Sequence, residues 1–267
     1  MLPYDIFNYI IINSDIQTVW QLYQTDKTIK QLCNTPFCKV LVKFSSHEFF
    51  NLDAKSDLLD NFLNDITFND KVLLRRLQLA LGSCLVGDNI LNKVIVFIGN
   101  GDNGKSTLLS ILSRLLGHLF TKGDSQFLEN DDYFDFDQTY MQDAHIVNFT
   151  DITKVNAGLL KSLVGKDSRF YKGCDYIPSF NIIIDTKILF YENSHQSLLN
   201  RLEIFEFPCT FGPWAPETPD EKINDPNMRH HIRNDNNAMC AFLNFLLQGC
   251  RDILNDPSLL NKINKDG

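Results

Sequence analysis

The sequence has no CxxC cysteine pair, no long apolar run, no excess of basic residues and no internal repeat. Its seven cysteines, Cys33, Cys38, Cys84, Cys174, Cys209, Cys240 and Cys250, are odd in number and scattered, which points to reduced thiols in an intracellular protein. The longest apolar stretches, such as Val94 to Ile98, are strand-sized and far below the roughly 20 residues of a membrane helix, so no membrane partner is expected. The start of the chain lacks a basic region followed by an apolar stretch, and no signal peptide is read there. A formal charge of −8 excludes a generally basic nucleic-acid coat. Contact with DNA or RNA would need a local basic loop instead.

What is present is enough for one sizeable core, since 44% of the 267 residues are hydrophobic. Residues 1–45 read as short helices. Ile6, Ile10 and Ile11 share one helical face, as do Val19, Leu22 and Tyr23, with Ser14 or Asp15 as a cap between them. The stretches 57–66 and 70–85 show helical spacing, with Gly87 and Asn89 as a stop. Residues 93–99 form a continuous apolar run bounded by glycine, as expected of a buried parallel strand. Residues 144–150 and 180–185 are two more such strands, and 201–207 alternates like a third. Part helix and part hairpin are expected between 159 and 180. A proline-rich loop over 212–226 separates the core from a last helix over 236–254.

Between the first strand and its following helix, Gly99, Asn100, Gly101, Asp102, Asn103, Gly104, Lys105, Ser106 and Thr107 contain the pattern G-x-x-x-x-G-K-[ST]. Glycines let backbone N–H groups curl around phosphates. Lys105 would reach the outer phosphates from an exposed loop with little packing of its own. The Ser106 hydroxyl would ligate Mg²⁺, and the helix start adds its positive end. A metal held this way needs a carboxylate at a neighbouring strand end, and Asp151 has that place. A helix N-cap is the other reading of Asp151. Ile152 follows it, so no second acid is read beside it and no catalytic base is identified.

The order of motifs resembles superfamily III helicases of the poxvirus-type primase-helicase branch, found in large DNA viruses and phages. The phosphate loop with Asn103 before Gly104-Lys105-Ser106 carries the likeness, with the helical lead-in at 75–89, the segment 160–173, the strand 176–187, the segment 198–211 and the last helix. The likeness implies an α/β fold: a three-layer P-loop NTPase, AAA-like, with an N-terminal helical segment and a C-terminal helical lid. Its divisions would be 1–45, 46–92 as helical lead-in, 93–212 as ATPase core, and 213–267. It implies ATP and Mg²⁺ as cofactors, DNA (single-stranded or fork) as partner, a homo-oligomeric ring, and work at a viral replication site or in the host cytoplasm, the nucleus also open.

Residue by residue, the resemblance makes Lys105, Asp151 and Arg201 catalytic, with Arg201 reaching a neighbouring subunit's nucleotide. It places Lys161, Arg169 and Lys172 against DNA. Arg169 and Lys172 bracket Phe170 and Tyr171, which independently suits backbone contact and base stacking, though a solvated hairpin reads equally from the residues. Three positions depart from the family: Asp151 stands for Glu, Asn200 for a first arginine, and Lys187, counted from Pro178, for the sensor Asn, with Asn193 as the other candidate. Lys offers donors only, so slow turnover is expected. The front segment loosely resembles an F-box, which implies a Skp-type adaptor as partner. An F-box-type adaptor with a decayed nucleotide-binding domain is the alternative function, and a plain helical cap explains the same residues.

Overall fold

The computed structural model describes residues 15–25, 35–129, 141, 143–165, 169–171, 174–176, 179–187 and 196–266. Ile6, Ile10, Ile11, Cys33, Lys172, Pro178 and Asn193 lie outside them.

Among the described residues four helices come first, and short polar side chains start them. Asp15 opens α1 (Ile16–Thr25), its carboxylate accepting from the Thr18 N–H at 2.8 Å. Thr35 caps α2 (Pro36–Ser45), Ser56 caps α3 (Asp57–Ile66), and Asp70 caps α4 (Lys71–Ser83). The α/β core follows: β1 (Val94–Ile98), α5 (Lys105–Leu116), β2 (Phe120–Lys122), α6 (Ser125–Glu129), β3 (Ile146–Thr150) and α7 (Ala157–Gly165). An antiparallel hairpin of β4 (Arg169–Tyr171) and β5 (Cys174–Tyr176) precedes β6 (Asn181–Thr186), α8 (Gln196–Leu199) and β7 (Leu202–Glu206). The chain continues through β8 (Thr210–Gly212), β9 (Glu221–Ile223), α9 (Met228–Asn234), α10 (Asn236–Asn255) and α11 (Leu259–Asp266).

Five parallel strands make one sheet in the order β2-β3-β6-β1-β7. Alternate residues of β1 serve opposite faces. Ile95 and Phe97 pack with Leu108, Ile111 and Leu112 of α5. Val94 and Val96 pack with Phe127 of α6 and Leu160 and Leu163 of α7. The fold is therefore a three-layer α/β P-loop NTPase core with helices before and after it. Val19, Leu41, Phe62, Leu81, Phe97 and Leu243 belong to one buried cluster, which crosses the divisions drawn from the sequence. Helix α2 is part of that cluster through Phe37, Val40, Leu41 and Phe44, so its apolar face is spent inside the molecule.

Helices α4 and α10 meet at two glycines. A Cβ on Gly82 would lie 2.4 Å from the Cys250 nitrogen, and one on Gly249 would lie 2.1 Å from the Gln78 carbonyl oxygen. Either side chain would push the backbones apart. Below the sheet, Glu203 of β7 is 1% exposed and holds two cations, Arg76 of α4 at 2.7 Å and Lys93 at 2.8 Å.

Two expectations change. Cys38 is disulfide-bonded rather than reduced, while Cys84, Cys209, Cys240 and Cys250 are free and buried. Scattered spacing does not report which sulfurs folding brings together. The proline-rich stretch is also more than a separator: β9 forms inside it, pairs in parallel with β8, and comes to lie over the phosphate loop.

Candidate nucleotide site

The site forms where the parallel strands end. Beyond Ile98 the chain turns through Gly99 to Gly104 and enters α5 at Lys105. Gly104 has φ 86°, in the left-handed region, and a Cβ there would sit 2.4 Å from Cγ2 of Ile66, so α3 presses directly on the loop. A cavity of about 930 Å³ opens above it. Every residue from Gly99 to Thr107 lines this cavity except Asn100.

Lys105 is not the exposed side chain the sequence implied. It is 5% exposed, and its Nζ donates to the Gly99 carbonyl at 2.6 Å and to Asn103 Oδ1 at 3.1 Å. The Asp185 carboxylate is 3.8 Å away. Burial pulls the Lys105 ammonium below its usual range, and Asp185 opposes that shift. Asn103 is 4% exposed, its amide lies over Gly99, and its Nδ2 is buried without a hydrogen-bond partner. That free N–H in a glycine cradle suits an anion.

Asp151 follows β3 at φ 56° and lines the same cavity. Its N–H donates to the Asp185 carbonyl at 2.9 Å, which ties the end of β3 to the end of β6. Asp185 is the residue the sequence reading missed. It supplies the second acid beside Asp151, and only the strand order reveals this, because β6 lies between β1 and β3. Burial raises the Asp185 carboxyl above the usual range, Lys105 works against that, and Asp151 adds to it. Lys187 stands exposed just past β6 and also lines the cavity.

The far wall was not expected from the sequence. The Phe211 N–H of β8 donates to the Asp102 carbonyl at 2.6 Å, and Lys222 of β9 pairs with Asp65 of α3 at 3.2 Å. Helix α9 brings Arg229, His230 and Arg233 to the cavity, and Arg233 donates to the Ser110 hydroxyl of α5 at 3.2 Å. A basic run with a single buried residue, Ile232, was the signal available for α9.

Arg201 is elsewhere. Its carbonyl accepts from the N–H of Val94, the first residue of β1, so it lies at the opposite end of the sheet from the phosphate loop. Five strand residues separate these ends, roughly 15 Å. Lys161 of α7 donates to the Ser197 hydroxyl at 2.6 Å, and Arg169 pairs with Tyr176 across the hairpin. Lys161 does not line the cavity. Among the described residues no three metal-binding side chains cluster, and no helix is long and apolar enough to cross a membrane.

No protein-family model matches the chain, and no curated protein matches it. Solved structures do. The apo structure of the NrS-1 C-terminal region is 15% identical with a TM-score of 0.54, over 77% of this chain and 50% of that one. Its A form is 13% identical with a TM-score of 0.51, over 75% of this chain and 49% of that one. The X-ray structure of JCV helicase is 13% identical with a TM-score of 0.39, over 92% of this chain and 75% of that one. The chain thus spans about half the length of the NrS-1 chains it matches. At these identities the likeness to NrS-1 is one of fold.

Proposed function

We propose that the chain is an ATPase that unwinds or moves along DNA. The observation that carries the nucleotide part is the convergence of Lys105, Ser106 and Asp151 on one cavity at the strand ends. The donor set fits a nucleoside triphosphate: a buried cation, a glycine cradle, and the unpartnered Nδ2 of Asn103. Ser106 and Asp151 would hold Mg²⁺, which when bound offsets charge on the outer phosphates. Lys105 and the loop amides hold the phosphates in place. Arg229 and Arg233 add positive charge to the opposite wall.

The DNA part rests on motif order and on the strand order that carries it. Arg169 belongs to a short two-stranded hairpin, a cation and aromatics in one stretch that suits contact with a nucleic-acid strand. Arg201, far from its own chain's phosphate loop, suits contact with a nucleotide held by a neighbour, as a ring would allow.

The test is ATP binding and hydrolysis with and without single-stranded DNA. Lys105→Ala should weaken ATP binding by about 10²-fold, since it removes a charge-assisted contact of about 3 kcal/mol. Unchanged affinity would overturn the phosphate-loop reading. Hydrolysis that DNA does not stimulate, with no DNA binding, would leave a nucleotide-binding protein and overturn the DNA reading.

A further inference from the structure

In-line attack on a terminal phosphate asks the protein for little covalent chemistry. It asks for one water held still and aimed. Holding a water by its hydrogen takes an acceptor. Lys187, at the end of β6, has donors only. Asn103 is 4% exposed, with its Oδ1 turned inward to Lys105. Under the proposed function Asp151 is taken by the metal.

Of the other carboxylates that line the cavity, Asp65 is paired with Lys222, Asp225 stands by His231 on the far wall, and Asp102 is on the loop itself. Asp185 stands beside Lys105, and its placement suits the task. It lines the cavity and its side chain is 16% exposed, shielded without being sealed off. Its carboxylate stands 3.8 Å from Lys105 Nζ, too long for a strong hydrogen bond, so its lone pairs are open to another donor. Its backbone is fixed on both sides. β6 pairs with β1 and β3, the Asp185 carbonyl accepts from Asp151, and the Thr186 hydroxyl donates to the Ile152 carbonyl at 2.8 Å. A carboxylate on a rigid strand end, beside the lysine of a phosphate loop, is well placed to aim a water at the last phosphate.

We propose that Asp185 is a catalytic residue that accepts a hydrogen bond from the attacking water. This role rests on the nucleotide reading above. In the step, the water oxygen bonds to the γ phosphorus while the bond from that phosphorus to the β–γ bridging oxygen breaks. The electron pair leaves with ADP, and the water proton passes to a γ-phosphoryl oxygen. The products are ADP and dihydrogen phosphate, and Asp185 remains a carboxylate throughout. The competing role for Asp185 is as an anchor for Lys105, which would act on binding rather than on turnover.

Three measurements on the full chain separate these roles: kcat for ATP, affinity for ADP, and affinity for ADP with aluminium fluoride, all at matched Mg²⁺. Asp185→Ala should lower kcat about 10²-fold. It should weaken binding of ADP with aluminium fluoride by a similar factor and change ADP affinity less than about threefold. Asp185→Asn keeps the volume and one acceptor oxygen, so it should fall between, and it serves if the alanine variant does not fold. Unchanged kcat, or a tenfold loss of ADP affinity with kcat intact, would overturn the role. If the wild type binds ADP but gains nothing from aluminium fluoride, the role is also overturned while the nucleotide site stands. If the wild type binds no nucleotide, the nucleotide reading falls and takes this role with it.

Discussion

Replacing Glu203 with Gln tests whether the ion triad beneath the sheet holds β7 in place. The carboxylate is 1% exposed and meets Arg76 at 2.7 Å and Lys93 at 2.8 Å. Gln keeps the shape, loses the charge, and turns an N–H₂ group toward one of the two cations. Breaking a buried pair from one side costs about 3–5 kcal/mol, because the remaining charge stays without its partner. The cations are less deeply placed, with side chains 22% and 16% exposed, and water can reach both. Arg76 also keeps a bond to the Ile204 carbonyl at 3.0 Å. The lower end, about 3 kcal/mol, is therefore expected. For a chain of this size that is a fall in Tm of roughly 6–12 °C. Thermal and urea melts of Glu203→Gln against wild type give the number. A shift under about 2 °C with unchanged cooperativity would refute the reasoning, and the triad would then contribute no more than a surface pair.

Gly249→Ala should cost about 2 kcal/mol or more in a urea melt, because its Cβ meets the Gln78 carbonyl oxygen at 2.1 Å, while Gly101→Ala, with open space around it, should change stability little. His145 should make the fold sensitive to acid. Burial, and then the Lys43 ammonium beside it, push its imidazole down to about 4 from an ordinary 6.5. The folded chain then keeps His145 neutral where the unfolded chain takes up a proton, so stability falls as pH drops from about 6.5 toward 4. Between pH 7 and pH 5 this amounts to about 2 kcal/mol before solvent screening and about 1 after it. Urea midpoints at the two pH values should show the loss, and His145→Gln should remove most of it.

The parts of the molecule that are contiguous in sequence were legible there. The phosphate loop, its strand and its helix are one stretch from Val94 to Leu116, and their period and glycines announce them. Strands β3, β6 and β7 were legible as apolar or alternating runs. What could not be read depends on adjacency. Asp185 looks like the polar end of a strand until β6 is seated between β1 and β3. Lys105 looks exposed until its ammonium is folded back onto the Gly99 carbonyl and Asn103, with the end of β6 beside it. Strands β2, β8 and β9 have three residues each, too few to show a period. Helix α9 buries only Ile232 and so shows no apolar stripe, although it forms a wall of the site.

The crossing of α4 and α10 also sets an order of events in time. Gln78 donates to the Phe245 carbonyl across 167 residues of chain. During synthesis at about 5–20 residues per second, α4 waits on the order of 10–30 s for the helix that covers it. The glycine-bearing side of α4, shaped for backbone contact, has no native surface to rest on in that interval. The parallel sheet can assemble ahead of that cover, since its last strand in sequence, β7, precedes α10 in the chain and emerges before it. A chain in which β7 has emerged and α10 has not would therefore hold the five-stranded sheet with an open helical flank, a natural target for chaperones that bind apolar surface.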